Sequence, residues 1–136
     1  MTTGTGRSDR RVADVMSRAV IGVDARTPRE EIVAALRRFG VSAVPVIDEA
    51  HRPVGVVSEA DLMVWSRPGS SPAGEPHHPG EVAGDLMSAP AITVSVSAPL
   101  AEAARLMSER HVRRLVAVLD DGRVAGIVSR HDILEP

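Results

Sequence analysis

The sequence repeats itself. Shifted by 71 positions, residues 14–63 overlie residues 85–134 without a gap, and thirteen of the fifty pairs are identical. They include Asp14/Asp85, Met16/Met87, Ser17/Ser88, Pro28/Pro99, Gly55/Gly126, Ser58/Ser129 and Asp61/Asp132. Other pairs exchange one apolar residue for another, such as Leu36/Met107 and Ile47/Val118. A copy of about 50 residues is marginal as an isolated core, and two copies are too few for a solenoid. The copies are therefore expected to pack together as a pseudo-symmetric pair. The expected boundaries are a flexible tail (1–10), a first repeat (11–66), a linker rich in Pro, Gly and Ser (67–80) and a second repeat (81–136).

Each copy has the same local grammar. The words ADVMS and GDLMS read as short helical turns, and residues 21–23 and 92–94 as short strands. Pro28 and Pro99 suit the first turn of a helix, where a missing N–H costs nothing. Ile32, Ala35, Leu36 and Phe39 then share one helical face, a pattern repeated by Ala103, Leu106 and Met107. Gly40 suits the helix stop. Apolar strands at 43–47 and 54–57 enclose a polar turn, and the second copy carries DDGR there, a hairpin signal. A last helix begins at Ser58 or Ser129. The expected fold class is α+β, two pseudo-symmetric β-α-β-β-α units packed as one module.

Chemistry concentrates in GVVSEAD, residues 55–61, and GIVSRHD, residues 126–132. A plain structural reading exists: Ser-x-x-Asp at a helix start is close to a capping box, with Asp61 and Asp132 near the positive end of the helix dipole. Three features add a ligand. A glycine within an apolar strand marks close approach by a ligand or another backbone. A helix N-terminus with a serine hydroxyl suits an anion. An ionised Asp offers two acceptor oxygens to an adjacent pair of hydroxyls, as on a ribose.

Composition excludes other classes. Net charge is −2 and aromatics make up 1%, which argues against a phosphate-coating surface or a stacking platform for nucleic acid. There is no cysteine, and all 16 basic residues are arginine, so thiolate, Cys-ligated zinc and Schiff-base lysine chemistry are absent. No Walker loop, dinucleotide fingerprint or G-x-S-x-G word occurs. The start is polar without a signal-peptide pattern, and no apolar run nears the roughly 20 residues of a membrane span. The expectation is a cytoplasmic protein that is not an enzyme and has neither nucleic-acid nor membrane partners. His77 and His78 read as a solvated linker pair. His111 and His131 flank the end of the second copy where an anion would sit, and either could add pH sensitivity or lie on the surface.

The repeat and the paired G-h-h-S-x-x-D words resemble a tandem pair of cystathionine-β-synthase (CBS) domains, a Bateman module of the stand-alone bacterial type, over residues 11–134. The resemblance implies two clefts for adenine nucleotides or adenosyl compounds, the class of AMP, ADP, ATP and S-adenosylmethionine. Asp61 and Asp132 would hold ribose hydroxyls, and Ser58 and Ser129 would face sugar or phosphate. Val56 and Ile127 would line the walls. The adenine would rest on residues 16–21, Ile21 included, in the Asp132 cleft, and on residues 87–93, with Ile92 and Thr93, in the Asp61 cleft. Arg113 and Arg114 would meet phosphate, with Arg114 at the better-matching position. The first copy has Ser42 and Ala43 there. One lost arginine contact at roughly 1.5–3 kcal/mol lowers affinity about ten- to a hundredfold, so a phosphorylated ligand is expected to prefer the Asp132 cleft. A homodimer through the terminal helices is also implied, with Leu62, Met63, Val64, Ile133 and Leu134 as candidates beside burial within the module, and Trp65 at a seam. A separate regulated protein would read the ligand state. The alternative is a dimerisation scaffold without nucleotide, both motifs serving as caps. The residues do not decide whether Mg²⁺ accompanies the phosphates.

Overall fold

A computed structural model of the chain describes residues 10–18, 21–65 and 81–134. Its elements, in order, are α1 (Val12–Val15), β1 (Ser17–Arg18), α2 (Arg29–Phe39), β2 (Ala43–Ile47), β3 (Pro53–Ser58), α3 (Glu59–Trp65), α4 (Ala83–Leu86), β4 (Thr93–Ser95), α5 (Leu100–Arg110), β5 (Arg114–Val118), β6 (Val124–Ser129) and α6 (Arg130–Leu134). The class is α+β, and α1 and α4 are the short helical turns read in ADVMS and GDLMS. Contacts divide the chain into a central unit, Val20–Ala91, and a C-terminal unit that joins Met1–Ala19 to Ile92–Pro136.

These units do not coincide with the sequence repeats. The C-terminal unit takes α1 from the first copy, and the central unit takes α4 from the second. The exchange is held by backbone hydrogen bonds that follow the 71-residue offset. In the C-terminal unit the Val12 N–H donates to Ala98 O at 2.9 Å, Ala13 N–H to Val96 O at 2.9 Å and Leu100 N–H to Arg10 O at 3.2 Å. In the central unit the Ala83 N–H donates to Thr27 O at 2.9 Å, Gly84 N–H to Ala25 O at 2.8 Å and Arg29 N–H to Glu81 O at 2.8 Å. Burial supports the exchange, since Val12 and Ala83 are wholly buried, each in the core of the unit it joins.

The C-terminal unit has a four-stranded sheet in the order β1-β6-β5-β4, antiparallel except for the parallel pair β4/β5. The central unit has the antiparallel pair β2/β3, and its outer positions shrink to single bridges, Val23 with Val46 and Val56 with Ser88. The strand expected at 21–23 is therefore one bridge, whereas its counterpart is β4, shifted one residue to 93–95. Gly22 stands where the second copy has Thr93, and glycine is a weak strand former beside a β-branched residue.

Each helix packs one stripe on its sheet. Ile32, Ala35 and Leu36 of α2 are buried, as are Ala103 and Met107 of α5, with Leu106 half-buried. Phe39 departs from the expected stripe and is 38% exposed, with the Arg38 guanidinium over its ring. Pro28 and Pro99 sit one position earlier than expected, as N-cap residues with extended backbone whose carbonyls accept the first helical bonds. Gly40 ends α2 in the left-handed region at φ 63°, and His111 ends α5 there at φ 56°. The last helices begin at Glu59 and Arg130, one residue after the serines, which close the strands.

Candidate functional site

Register places the candidate residues. Arg114 lies directly across the ladder from Ser129, and Val116 from Ile127. Ile127 is also opposite Ser17, and Val116 beside Thr93. Directly paired residues project to the same face of a sheet. Arg114, Ser129, Ile127, Ser17 and Thr93 therefore share one face of the C-terminal sheet. The opposite face carries Leu115, Ala117, Val128 and Val94 into the helix-covered core. Ile92 packs against that core too, and its carbonyl accepts the Val116 N–H at 2.9 Å.

Asp132 joins this face through Ser129. Its Oδ2 accepts the Ser129 N–H at 2.8 Å, and its own N–H donates to Ser129 Oγ at 3.1 Å. This is the reciprocal capping box. Oδ1 of Asp132 and the Ser129 hydroxyl proton have no partner among the described residues.

The central unit repeats the frame. Ala43 is across from Ser58 and Pro45 from Val56, which also bridges Ser88. Asp61 Oδ2 accepts the Ser58 N–H at 2.8 Å, and Asp61 N–H donates to Ser58 Oγ at 3.3 Å. Here the Ser58 hydroxyl also donates to Asp61 Oδ2, at 3.0 Å, and Ser58 is buried. The first motif thus spends its hydroxyl internally and has the alanine methyl where Arg114 stands.

Thr93 and Ile92, expected in the Asp61 cleft, stand instead in the C-terminal unit, Thr93 on the sheet face of Arg114 and Ile92 against the core; two other candidates also take different places. Arg113 follows the alternation away from Arg114 and lines a groove between α5 and α6, while its carbonyl accepts the Arg130 N–H at 2.8 Å. Ile21 packs against the core of the central unit. The glycines are explained by backbone approach. A Cβ at Gly55 would lie 2.6 Å from the Met87 sulfur and 2.8 Å from Ser88 O, and one at Gly126 would lie 2.5 Å from Ser17 O. Ser17 and Ser88 fall within the expected stretches 16–21 and 87–93 but were not singled out there; their identity in both copies was the available signal.

Among the described residues no cluster of His, Asp and Glu could hold a metal ion, and no helix is long and apolar enough to cross a membrane. His77 and His78 lie outside the described residues.

The CBS domain model matches residues 12–67 and 83–135, and the chain belongs to the CBS domain family, as a tandem pair. An uncharacterized protein of Methanopyrus kandleri is 34% identical over 91% of this chain and 61% of its own length. The chloroplastic CBS domain-containing protein CBSX2 of Arabidopsis thaliana is 34% identical over 82% of this chain and 56% of its own. The chain thus spans about three-fifths or less of these relatives. The crystal structure of CBSX2 in complex with AMP matches at 30% identity and TM-score 0.73, covering 91% of this chain and 93% of that one. The CBS domain pair of protein MJ0100, in complex with 5′-methylthioadenosine and S-adenosyl-L-methionine, shares the fold at 22% identity and TM-score 0.76, over 92% and 93% of the two chains.

Proposed function

We propose that this chain is a non-catalytic regulatory module that binds a phosphorylated adenosine compound at the Asp132 motif and passes its ligand state to a partner protein. The observation that carries the reading is the alignment of Arg114 with Ser129 on one sheet face, beside an Asp132 carboxylate with one unused oxygen. Asp132 Oδ1 accepts from the ribose hydroxyls, the Ser129 hydroxyl and Arg114 meet phosphate, and Ile127 and Thr93 form the wall. The AMP complex of CBSX2, at 30% identity, supports AMP as the first ligand to try. The Asp61 motif, with Ser58 and Val56, has no arginine at the matching position and takes a less charged adenosyl ligand more weakly. Ligand shifts the balance between two arrangements of the module by its differential affinity for them. The module acts in the cytoplasm as a homodimer through its terminal helices, of which Met63 and Leu134 are exposed while Leu62 is buried.

The test is calorimetric titration of nucleotide-free protein with AMP, ADP, ATP and S-adenosylmethionine, with and without Mg²⁺. Micromolar binding of a phosphorylated member supports the reading; no heat with any of the four sinks it. The complete capping boxes at both motifs favour a second reading, in which Ser-x-x-Asp serves only as a helix cap in a dimerisation scaffold. The two are separable, because the cap uses Oδ2 and the ligand requires Oδ1.

A further inference from the structure

Two of the five histidines lie near the second motif, and the fold separates them. His111 ends α5 at φ 56° and lines the groove between α5 and α6. The short helix α6 divides between two sides. Arg130, Ile133 and Leu134 line that groove, and His131 and Asp132 do not. At about 100° of turn per residue, His131 and Asp132 project from the other side of α6. Asp132 ties this side to Ser129, which stands across the ladder from Arg114.

His131 is exposed and has no partner among the described residues. Asp132 flanks it on α6, and Arg114 stands on the neighbouring sheet face. The other charged or titratable groups around α6, which are Arg130, Arg113 and His111, belong to the groove side. The strand β6 that leads into α6 carries no charged side chain, and α5 faces α6 with Ala104, Met107 and Ser108 besides His111. The first copy supplies the comparison. At the offset of 71, Ala43 stands where Arg114 does, and Ala60 where His131 does. Both basic positions of the second motif are thus methyl groups in the first.

We propose that His131 is a second phosphate contact at the Asp132 motif, and that its protonation makes the affinity for a phosphorylated adenosine compound rise as pH falls. This rests on the reading of the Asp132 motif given above and adds its pH response. Histidine is the side chain whose charge ordinarily changes between about pH 5 and 8. In its charged form both ring nitrogens donate, and a charge-assisted hydrogen bond to phosphate is stronger than a neutral one. Arg114 is charged throughout that range, so it supplies the constant part of the attraction and His131 the variable part. Solvent screens an exposed charge, which sets the variable part at about three- to tenfold in affinity.

The experiment is calorimetric titration of the nucleotide-free full chain with AMP and with adenosine, between about pH 5.5 and 8. The proteins are wild type, His131→Gln, His131→Arg and His111→Asn, the last because Asn tolerates the left-handed backbone. Circular dichroism verifies folding at each pH. A phosphate monoester takes up a proton of its own near about pH 6, so the quantity read is the ratio of wild-type to variant affinity at one pH, in which that proton cancels. For His131→Gln the ratio should be about three- to tenfold at the acid end and within about twofold of unity at the alkaline end. His131→Arg should match wild type in acid and bind AMP about three- to tenfold more tightly than wild type at the alkaline end. Adenosine should show neither trend, and His111→Asn should follow wild type. A His131→Gln ratio that does not change with pH, the same trend with adenosine, or a pH response removed by His111→Asn overturns the role of His131 and leaves the Asp132 site standing. Wild type that binds no AMP at any pH overturns it together with that site.

Discussion

A methyl group on Gly126 would sit 2.5 Å from the carbonyl oxygen of Ser17, a residue from the opposite end of the chain. That spacing admits only a hydrogen at the Cα. The same relationship holds between Gly55 and Ser88, at 2.8 Å. Each strand glycine is thus the seat of the Met-Ser segment exchanged from the other sequence copy. Gly126→Ala and Gly55→Ala should each lose about 1–3 kcal/mol in urea unfolding, because the obstructing atom is backbone and cannot swing aside. Adding Met87→Ala to Gly55→Ala should recover only part of the loss, since it removes the sulfur contact and leaves the carbonyl.

The helix stops differ between the units, and stability should register it. A Cβ at Gly40 has nothing within 4 Å, so Gly40→Ala acts only through its φ of 63°. The left-handed conformation should cost it about 1 kcal/mol. His111 already bears that cost, so His111→Gly should stabilise the C-terminal unit by under about 1 kcal/mol, after its greater unfolded-state freedom is counted. Thermal unfolding of both variants checks the opposite signs.

Arg114 is the residue that separates ligand binding from capping. Arg114→Gln leaves both capping boxes intact and removes the charge opposite Ser129. AMP affinity should fall about ten- to a hundredfold, the equivalent of roughly 1.5–3 kcal/mol, while adenosine affinity stays within about threefold and the melting temperature barely moves. Equal losses for AMP and adenosine in calorimetry would remove Arg114 from the phosphate.

Each hairpin turn holds a carboxylate that its own turn favours in the charged form. The Arg52 N–H lowers the Asp48 carboxyl below its usual 3.8, helped by the Ala50 N–H. The Arg123 N–H, with its guanidinium, does the same for Asp121. A carboxylate lowered in the folded state contributes stability that is complete above its unfolded pKa and lost as pH falls through the folded one. Both contributions should therefore be present at pH 5 and decline below 3.8. Carboxyl chemical shifts followed by NMR should titrate below that value for both residues, and a midpoint at or above it for either would contradict the assignment.

Much of this was legible before any coordinates. The offset of 71 fixed two matching units, Gly40 marked a real helix stop, and Ser-x-x-Asp marked both capping boxes. The β2 bounds were readable because 43–47 is a short apolar run ended by turn residues. What escaped was what depends on partners distant in sequence. Residues 10–18 pack with 92–134, and nothing in α1 itself says so. The resemblance ranked Arg114 above Arg113 without a physical reason; strand alternation supplies it, sending Arg113 to the α5/α6 groove and Arg114 to the face of Ser129. Gly55 and Gly126 were recognisable as close-approach positions, but the approaching backbone required the Val56–Ser88 bridge for Gly55 and the β1/β6 register for Gly126. Phe39 fits a helical stripe by spacing but is the last residue of α2, where the stripe no longer faces the sheet.

The most direct measurement is AMP affinity by calorimetry for Asp132→Asn beside Asp61→Asn, with unfolding curves for each. Both substitutions weaken a capping box, by about 0.5–2 kcal/mol, and Asp61→Asn, which also weakens the bond from the buried Ser58 hydroxyl, should lose at least as much stability as Asp132→Asn. Binding should rank the other way: Asp132→Asn should abolish the principal AMP site, whereas Asp61→Asn should leave it within about threefold of wild type. Equal AMP affinity in both variants and wild type would contradict the account and leave the two motifs as helix caps.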